Sequence, residues 1–324
     1  EADLIIIDEV SMMDQFIAAK LLKAIPSTCR VIFVGDPDQL PSVSAGNVLR
    51  DMIDSERIDV AKLDVVFRQS EESVIVKNSQ KINSGDTHLV YSKKFIHCYR
   101  DNNEEIFEKA SNFYVNCVKA YGIDNVVLLT PWRNKGTLCV NEFNKHLHER
   151  LNSKKSDELT VNINNVEFRI GDKVMQTKNN YDMVYSRENG EDGMGIFNGD
   201  MGIIESISVR DKCMNIVFDE DKLVEYPFTN LDELDLAYAI TVHKSQGSEF
   251  PIVIMPVCSF SPMLMSRNLF YTAVTRARDM VVLVGSEKTI QNMTMNNQFH
   301  QRFTGLTEKL VAVKKFVTEK EENS

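Results

Sequence analysis

The 324-residue sequence contains no G-x-x-x-x-G-K-[S/T] pattern, the glycine loop that cradles phosphates in many nucleotide-binding proteins. It has no apolar run near the roughly 20 residues that a membrane-spanning helix needs, so no membrane is expected as a partner. Its first residues do not have the pattern of a secretory leader. The six cysteines, at 29, 98, 117, 139, 213 and 258, are scattered without a C-x-x-C pair. That excludes an obvious disulfide framework or zinc site and points to reduced thiols in a cytoplasmic protein. Positive charge is also short: 37 Lys and Arg stand against 47 Asp and Glu, a formal charge of −10. Global charge therefore does not advertise a nucleic-acid binder, although a local basic groove would suffice for one. There is no initiator Met, and the chain opens directly on a strand. It reads as a piece of a longer protein.

What is present starts with that strand. Leu4-Ile5-Ile6-Ile7 is unbroken and apolar, and Asp8-Glu9 closes it. Such a run reads as a strand buried on both faces, as in a parallel sheet. Open α/β sheets bind ligands at the C-terminal ends of their strands, where this acid pair stands. One carboxylate there can hold Mg²⁺ while its neighbour orients or deprotonates a water; alternatively the strand merely ends in acids. Gln15–Ile25 fits an amphipathic helix ending before Pro26, and Val31–Val34 a second buried strand. The tight loop Gly35-Asp36-Pro37-Asp38-Gln39 follows it, and Gln39 there can sense a γ-phosphate or position a water. Asp64–Phe67 reads as a third strand, followed by Arg68, which is either a surface residue or a cation beside a terminal phosphate. Val74–Asn83 reads as a helix stopped near Gly85.

A second α/β unit then begins. Phe95–Tyr99 and Val126–Leu129 read as strands, and Glu104–Tyr121 and Asn134–Leu151 as helices. Trp132, the single tryptophan, stands at a strand end beside Arg133; a base can stack on it, or it can sit in the interior. From Trp132 to Lys155 there are six Lys or Arg against two Glu, which is either a solvated helix face or a local basic surface. Residues 160–230 alternate in short strands around the turn Asn198-Gly199-Asp200, which suggests a small antiparallel barrel inserted into this unit. Tyr181–Ile196 reads as a loop or hairpin tip. Strands resume at Tyr238–Val242, Ile252–Val257 and Met280–Val284, with a helix at Arg267–Arg278. The charged tail from Lys314 reads as a frayed terminus.

The order of these pieces carries a resemblance. LIIIDEVSMMD, GDPDQLPSV, FRQ, YAITVHKSQGSEF and YTAVTRAR resemble motifs II to VI of superfamily 1 helicases. Together with LLTPWRNKGTLCVNEFN and GDKVMQTKNNY, they are similar to the RecD-like branch, which moves 5′ to 3′ along single-stranded DNA. The PSVSAGNVL stretch leans towards the longer stand-alone members.

The resemblance implies an α/β fold of two RecA-like lobes, the first incomplete, with an inserted SH3-like barrel. The first lobe would be residues 1–68, the second 69–160 and 231–313, the barrel 161–230 and the tail 314–324. It implies ATP and Mg²⁺ as cofactors, and single-stranded DNA and duplex junctions as partners. Asp8 would hold Mg²⁺, Glu9 activate the water, Gln39 sense the γ-phosphate, and Arg68 and Arg276 act as arginine fingers. Gly35, Asp36, Gly247 and Glu249 would lie along the nucleotide. Thr130, Trp132, Arg133, Thr241, His243 and Lys244 would lie along the strand. Motif I is missing, so the 324 residues alone are expected to bind DNA without turning over ATP. The alternatives are a non-catalytic DNA-binding module and the helicase part of a conjugative relaxase.

Overall fold

The computed structural model describes residues 2–63, 73–154, 159–163, 166–219, 221–259, 264–297 and 304–321, with side chains to 313. In chain order the elements are β1 (Leu4–Ile7), α1 (Gln15–Ala24), β2 (Arg30–Phe33), α2 (Val48–Asp54), α3 (Val74–Ser84), β3 (Phe95–Tyr99), α4 (Asn103–Tyr121), β4 (Val126–Thr130) and α5 (Val140–Leu151). Nine short strands follow, β5 (Val161–Ile163), β6 (Val166–Phe168), β7 (Lys173–Gln176), β8 (Asn180–Ser186), β9 (Asp192–Ile196), β10 (Met201–Ser208), β11 (Cys213–Phe218), β12 (Lys222–Pro227) and β13 (Leu234–Leu236). The chain closes with β14 (Ala239–Thr241), β15 (Phe250–Val257), α6 (Arg267–Thr275), β16 (Ala277–Gly285), α7 (Glu287–Met295) and α8 (Leu306–Glu321). They form two compact units: residues 1–90, 260–275 and 291–324, and residues 91–259 and 276–290.

In the first unit β1 and β2 run parallel, with Leu4 opposite Arg30 and Ile7 opposite Phe33. Ile7 and Phe33 pack on a core of Val10, Met13, Ala18, Val48, Leu49 and Met52. The expectation that these strands are buried on both faces is corrected. Leu4 is 47% exposed, Ile6 63% and Ile32 47%, because among the described residues no third strand joins the sheet and nothing covers its other face. Asp14 starts α1 by accepting the backbone N–H groups of Phe16 and Ile17, both at 2.8 Å. Leu306 and Leu310 of α8 join the same core, and the Thr304 hydroxyl donates to Asp51 on α2 at 2.5 Å. With its first turns anchored there, α8 carries helical backbone through Lys314–Glu321, where a frayed tail was expected. The strand expected at Asp64–Phe67, and Arg68 with it, lie outside the described residues.

Besides the antiparallel pair β5–β6, the second unit contains two larger sheets among the described residues. Its parallel sheet has the order β14-β4-β15-β16-β3, and every residue of β4 is buried, as befits a strand with both faces covered. The other is a curled antiparallel sheet of order β13-β7-β10-β11-β12-β8-β9. The loop or hairpin tip expected at 181–196 is the β8–β9 hairpin of this sheet. Two further helix boundaries differ from the sequence reading. α5 starts at Val140 rather than Asn134, because Gly136 has φ +73° and Cys139 caps the helix in an extended conformation. α6 stops at Thr275, and β16 begins two residues later at Ala277.

Candidate functional site

In the first unit the predicted nucleotide-side residues gather at the C-terminal ends of β1 and β2. Glu9 has φ 52° and ψ 38°, a left-handed conformation that a non-glycine residue rarely holds without being locked in place. The lock is local: Asp8 Oδ1 accepts the Glu9 N–H at 2.8 Å, and the Val10 N–H reaches the Val34 carbonyl at 2.9 Å. Gly35 is required by contact, since a Cβ there would lie 2.9 Å from Leu49 Cδ2 and 3.0 Å from the Ser11 nitrogen. That absence of a side chain lets the β2 loop lie against the turn after Glu9.

The loop then folds on Asp36. Its carboxylate accepts the Asp38 N–H at 2.9 Å and the Gln39 amide at 3.3 Å. Helix α6 clasps the loop from outside. Tyr271 donates to Asp36 at 3.0 Å, Asn268 to the Asp38 carbonyl at 2.7 Å, and the Leu40 N–H to Thr272 Oγ1 at 2.9 Å. Gln39 and Ser11 are buried beside a cavity of about 310 Å³, and among the described residues neither Gln39 Oε1 nor Ser11 Oγ has a hydrogen-bond partner. An unsatisfied buried amide oxygen is the state in which a sensor of an incoming group would wait. Asp8 is exposed and has one carboxylate oxygen open. That suits Mg²⁺, which keeps most of its waters and takes one or two carboxylates plus substrate phosphates. Among the described residues no cluster of three or more His, Cys, Asp or Glu could cage a metal by itself.

In the second unit a groove of about 840 Å³ runs beside α5. Asn144 fixes that helix to the chain between β13 and β14. It donates to the carbonyls of Leu236 at 2.7 Å and Ala239 at 3.1 Å, and accepts the Ala239 N–H at 2.7 Å. Buried Asp172 ties β7 to the same region, accepting from Asn152 at 2.6 Å and Tyr238 at 2.8 Å, with His148 Nε2 at 3.0 Å. Arg133, Thr241 and Lys244 line the groove together, with Lys145 on the exposed side of α5. Lys145 belongs to the basic stretch but was not singled out by sequence.

The other predicted residues of this unit are placed differently. Thr130 is fully buried and donates to the Leu138 carbonyl at 2.5 Å, so it ties down the loop that carries Trp132 and Arg133. Trp132 is half-buried, with Gly136 against its ring, and His243 is half-buried in the turn that Thr241 caps. Gly247 and Glu249 are exposed. Arg276 is buried, donating to the Ser248 carbonyl at 3.1 Å. Sequence reasoning missed Asp235, whose Oδ2 lies 2.6 Å from Arg133 Nη2. Burial pushes its carboxyl above the usual range, against the pull of Arg133 and Lys244. Burial and the neighbouring Arg133 in turn hold Lys244 below the usual lysine range.

These arrangements match known families. The AAA domain model matches residues 1–103, the SH3 domain of ATP-dependent RecD-like DNA helicases residues 143–218, and the UvrD-like helicase C-terminal domain residues 236–284. The ATP-dependent RecD2 DNA helicase of Deinococcus radiodurans is 35% identical over 312 residues, covering 96% of this chain and 40% of that protein. Over 96% of its length the chain is similar to a RecD-like DNA helicase. The RecBCD enzyme subunit RecD of Mycolicibacterium smegmatis is 27% identical over 323 residues, 95% of this chain and 54% of that one. The chain therefore spans about half the length, or less, of these relatives. In fold it is similar to the crystal structure of Pif1 helicase from Bacteroides in complex with ADP-AlF3 and ssDNA, with a TM-score of 0.53 at 19% identity over 97% of this chain and 76% of that one. Among the described residues no helix is long and apolar enough to cross a membrane.

Proposed function

We propose that this chain supplies the strand-gripping part, and part of the ATP-hydrolysing part, of a DNA helicase that moves 5′ to 3′ along single-stranded DNA. The observation that carries the proposal is the groove beside α5, where Arg133, Lys145 and Lys244 converge on a protein of net charge −10. The groove's lining is mixed, with Glu142, Glu149, Glu167, Asp232 and Asp235 beside these cations and Arg169, and the three cations suit a ligand that carries regularly spaced negative charge. Thr241 and the ends of Arg133 and Lys244 offer hydrogen-bond donors to phosphate and sugar, which fix position without reading sequence. Trp132 offers a ring for a base, and Thr130 shapes its loop.

On the nucleotide side, Asp8 would hold Mg²⁺, which, when bound, neutralises charge on the transferring phosphate. Glu9 orients the water at the strand end, and Gln39, its amide oxygen unpaired, reports the γ-phosphate through the Asp36 loop. Gly35 and Asp36 shape that loop, while Gly247 and Glu249 approach the nucleotide's sugar. Arg68 and Arg276 supply positive charge to the transition state. Residues 1–68 then act as the first lobe, 69–160 and 231–313 as the second, and 161–230 as the inserted barrel. These 324 residues contain no phosphate-binding glycine loop, so by themselves they bind the strand without turning over ATP.

The test is binding of a labelled oligothymidylate across a salt series, with and without ATP. Affinity that falls with salt and ignores ATP supports the reading. Absence of binding at low salt overturns the groove assignment, and ATP turnover at a helicase-like rate overturns the assignment of inactivity.

A further inference from the structure

Arg133 and Lys244 are not idle in the groove. Asp235 is the middle residue of β13, whose neighbours Leu234 and Leu236 are buried and pair with Gln176 and Val174 of β7. Strand alternation sets Asp235 on the face opposite the two buried leucines, and all three residues border the groove. There its carboxylate meets Arg133 at 2.6 Å. Lys244 donates to the Asn198 side chain, and Asn198 is itself held, its N–H donating to Asn179 Oδ1 at 2.9 Å. An exposed guanidinium and a half-buried ammonium thus hold one carboxylate and one amide oxygen, and these three charged side chains sum to a net positive charge.

We propose that Asp235 is a resident stand-in for a backbone phosphate, paired with Arg133 in the free groove and exchanged for a phosphate when a single strand enters. The inference rests on the DNA-gripping reading of this groove. A carboxylate and a phosphate offer the same guanidinium the same two-oxygen geometry, so one can replace the other without rebuilding the site. The exchange keeps Arg133 ordered and prevents two like charges from splaying the empty groove. It also weakens the grip, because each binding event must break an ion pair already made. After exchange the freed carboxylate is exposed to the strand's charge and takes up a cation from solution. Asp235 therefore lowers both the affinity and the number of ions released on binding.

The experiment uses the whole chain and a fluorescein-labelled oligothymidylate of about 16 nucleotides, which spans a typical binding site. Wild type, Asp235→Asn, Asp235→Ser and Arg133→Ala are compared by anisotropy across a salt series, after thermal melting has matched their folds. The proposal expects Asp235→Asn to tighten binding about two- to fivefold, the range that breaking one such pair implies. It also expects a steeper log K against log salt, by about 0.7 for one additional ion released from a single strand. Asp235→Ser serves if the Asn variant melts early. Arg133→Ala weakens binding if the groove grips DNA, and unchanged binding in that variant would overturn the DNA reading itself. If Arg133→Ala weakens binding while both Asp235 variants keep wild-type affinity and slope, or bind more weakly, the exchange is wrong and Asp235 only braces Arg133.

Discussion

Tyr271 donates its phenolic hydrogen to Asp36 Oδ2 at 3.0 Å, joining residues 235 positions apart in sequence. The contact ties the loop that carries Gln39 to α6 within the first unit. The Leu40 N–H bond to Thr272 Oγ1 is the deeper of the two ties, since Leu40 and Thr272 are both buried. Tyr271→Phe leaves Asp36 its bonds to Asp38 and Gln39, and should cost about 0.5–1.5 kcal/mol. Thr272→Val removes the Thr272 Oγ1 acceptor from a buried bond and should cost about 1–3 kcal/mol. Urea unfolding of the two variants checks the order, and a smaller loss for Thr272→Val would show that the clasp is not the main support of the loop.

Much of this was legible in sequence. The acid pair, the Gly35 loop and the strands at Phe95 and Val126 announce themselves through local pattern, because apolar runs end in residues with no core role. Partners distant in sequence do not. Asp235 lies 102 positions from Arg133, and nothing in either neighbourhood names the other. The β9 segment Asp192–Ile196 holds two glycines and an acid, so its strand character comes from pairing with β8 rather than from propensity. An apolar run also says that a strand wants covering and not whether it is covered, which is why β1 and β2 were read as buried on both faces.

That exposed face leads to a second prediction. Leu4, Ile6, Ile32 and Val34 present apolar surface on a sheet of two strands, with free backbone at its edges among the described residues. Such a surface should drive self-association of this chain at micromolar concentration. Ile6→Lys adds charge at an exposed position and removes no core contact. It should shift the chain towards monomer in light scattering while leaving its melting temperature within about 2 °C of wild type. A large drop in melting temperature would mean that Ile6 is covered in solution.

Cysteine accessibility gives a third. Cys29 and Cys98 are partly exposed, whereas Cys117, Cys139, Cys213 and Cys258 are buried, and burial pushes the Cys258 thiol up to about 12. The thiolate is the reactive form, so two thiols should react quickly with a disulfide reagent under native conditions and the remaining four only on unfolding. Peptide mapping of the rapidly labelled protein would identify Cys29 and Cys98. Early modification of Cys258 would show that the end of β15 opens easily.

Lys173 offers a test of the second unit through pH. It is buried, its ammonium donates to the carbonyls of Ile123, Asp124 and Val126 at 3.0, 3.4 and 3.1 Å, and it lies 6.0 Å from the centre of the Phe250 ring. Burial nonetheless holds it down to about 8, opposed by the Asp124 charge. An unfolded lysine titrates near 10.4. Below pH 8 both states carry the proton, and the folded state bears the full cost of a buried charge. Between pH 8 and about 10.4 the unfolded chain binds the extra proton, so stability due to this residue rises with pH across that window. The gain over the whole window is on the order of 3 kcal/mol. Tyr114 and Tyr238 stay neutral in the folded state through burial, whereas in the unfolded chain they lose their protons near the upper end of the window, so they act in the opposite direction. The readout is therefore the difference between wild type and Lys173→Met, measured by denaturant unfolding at several pH values. The variant should lack the rise with pH, and parallel profiles for the two proteins would mean that Lys173 keeps its proton throughout, sheltered by its three carbonyls.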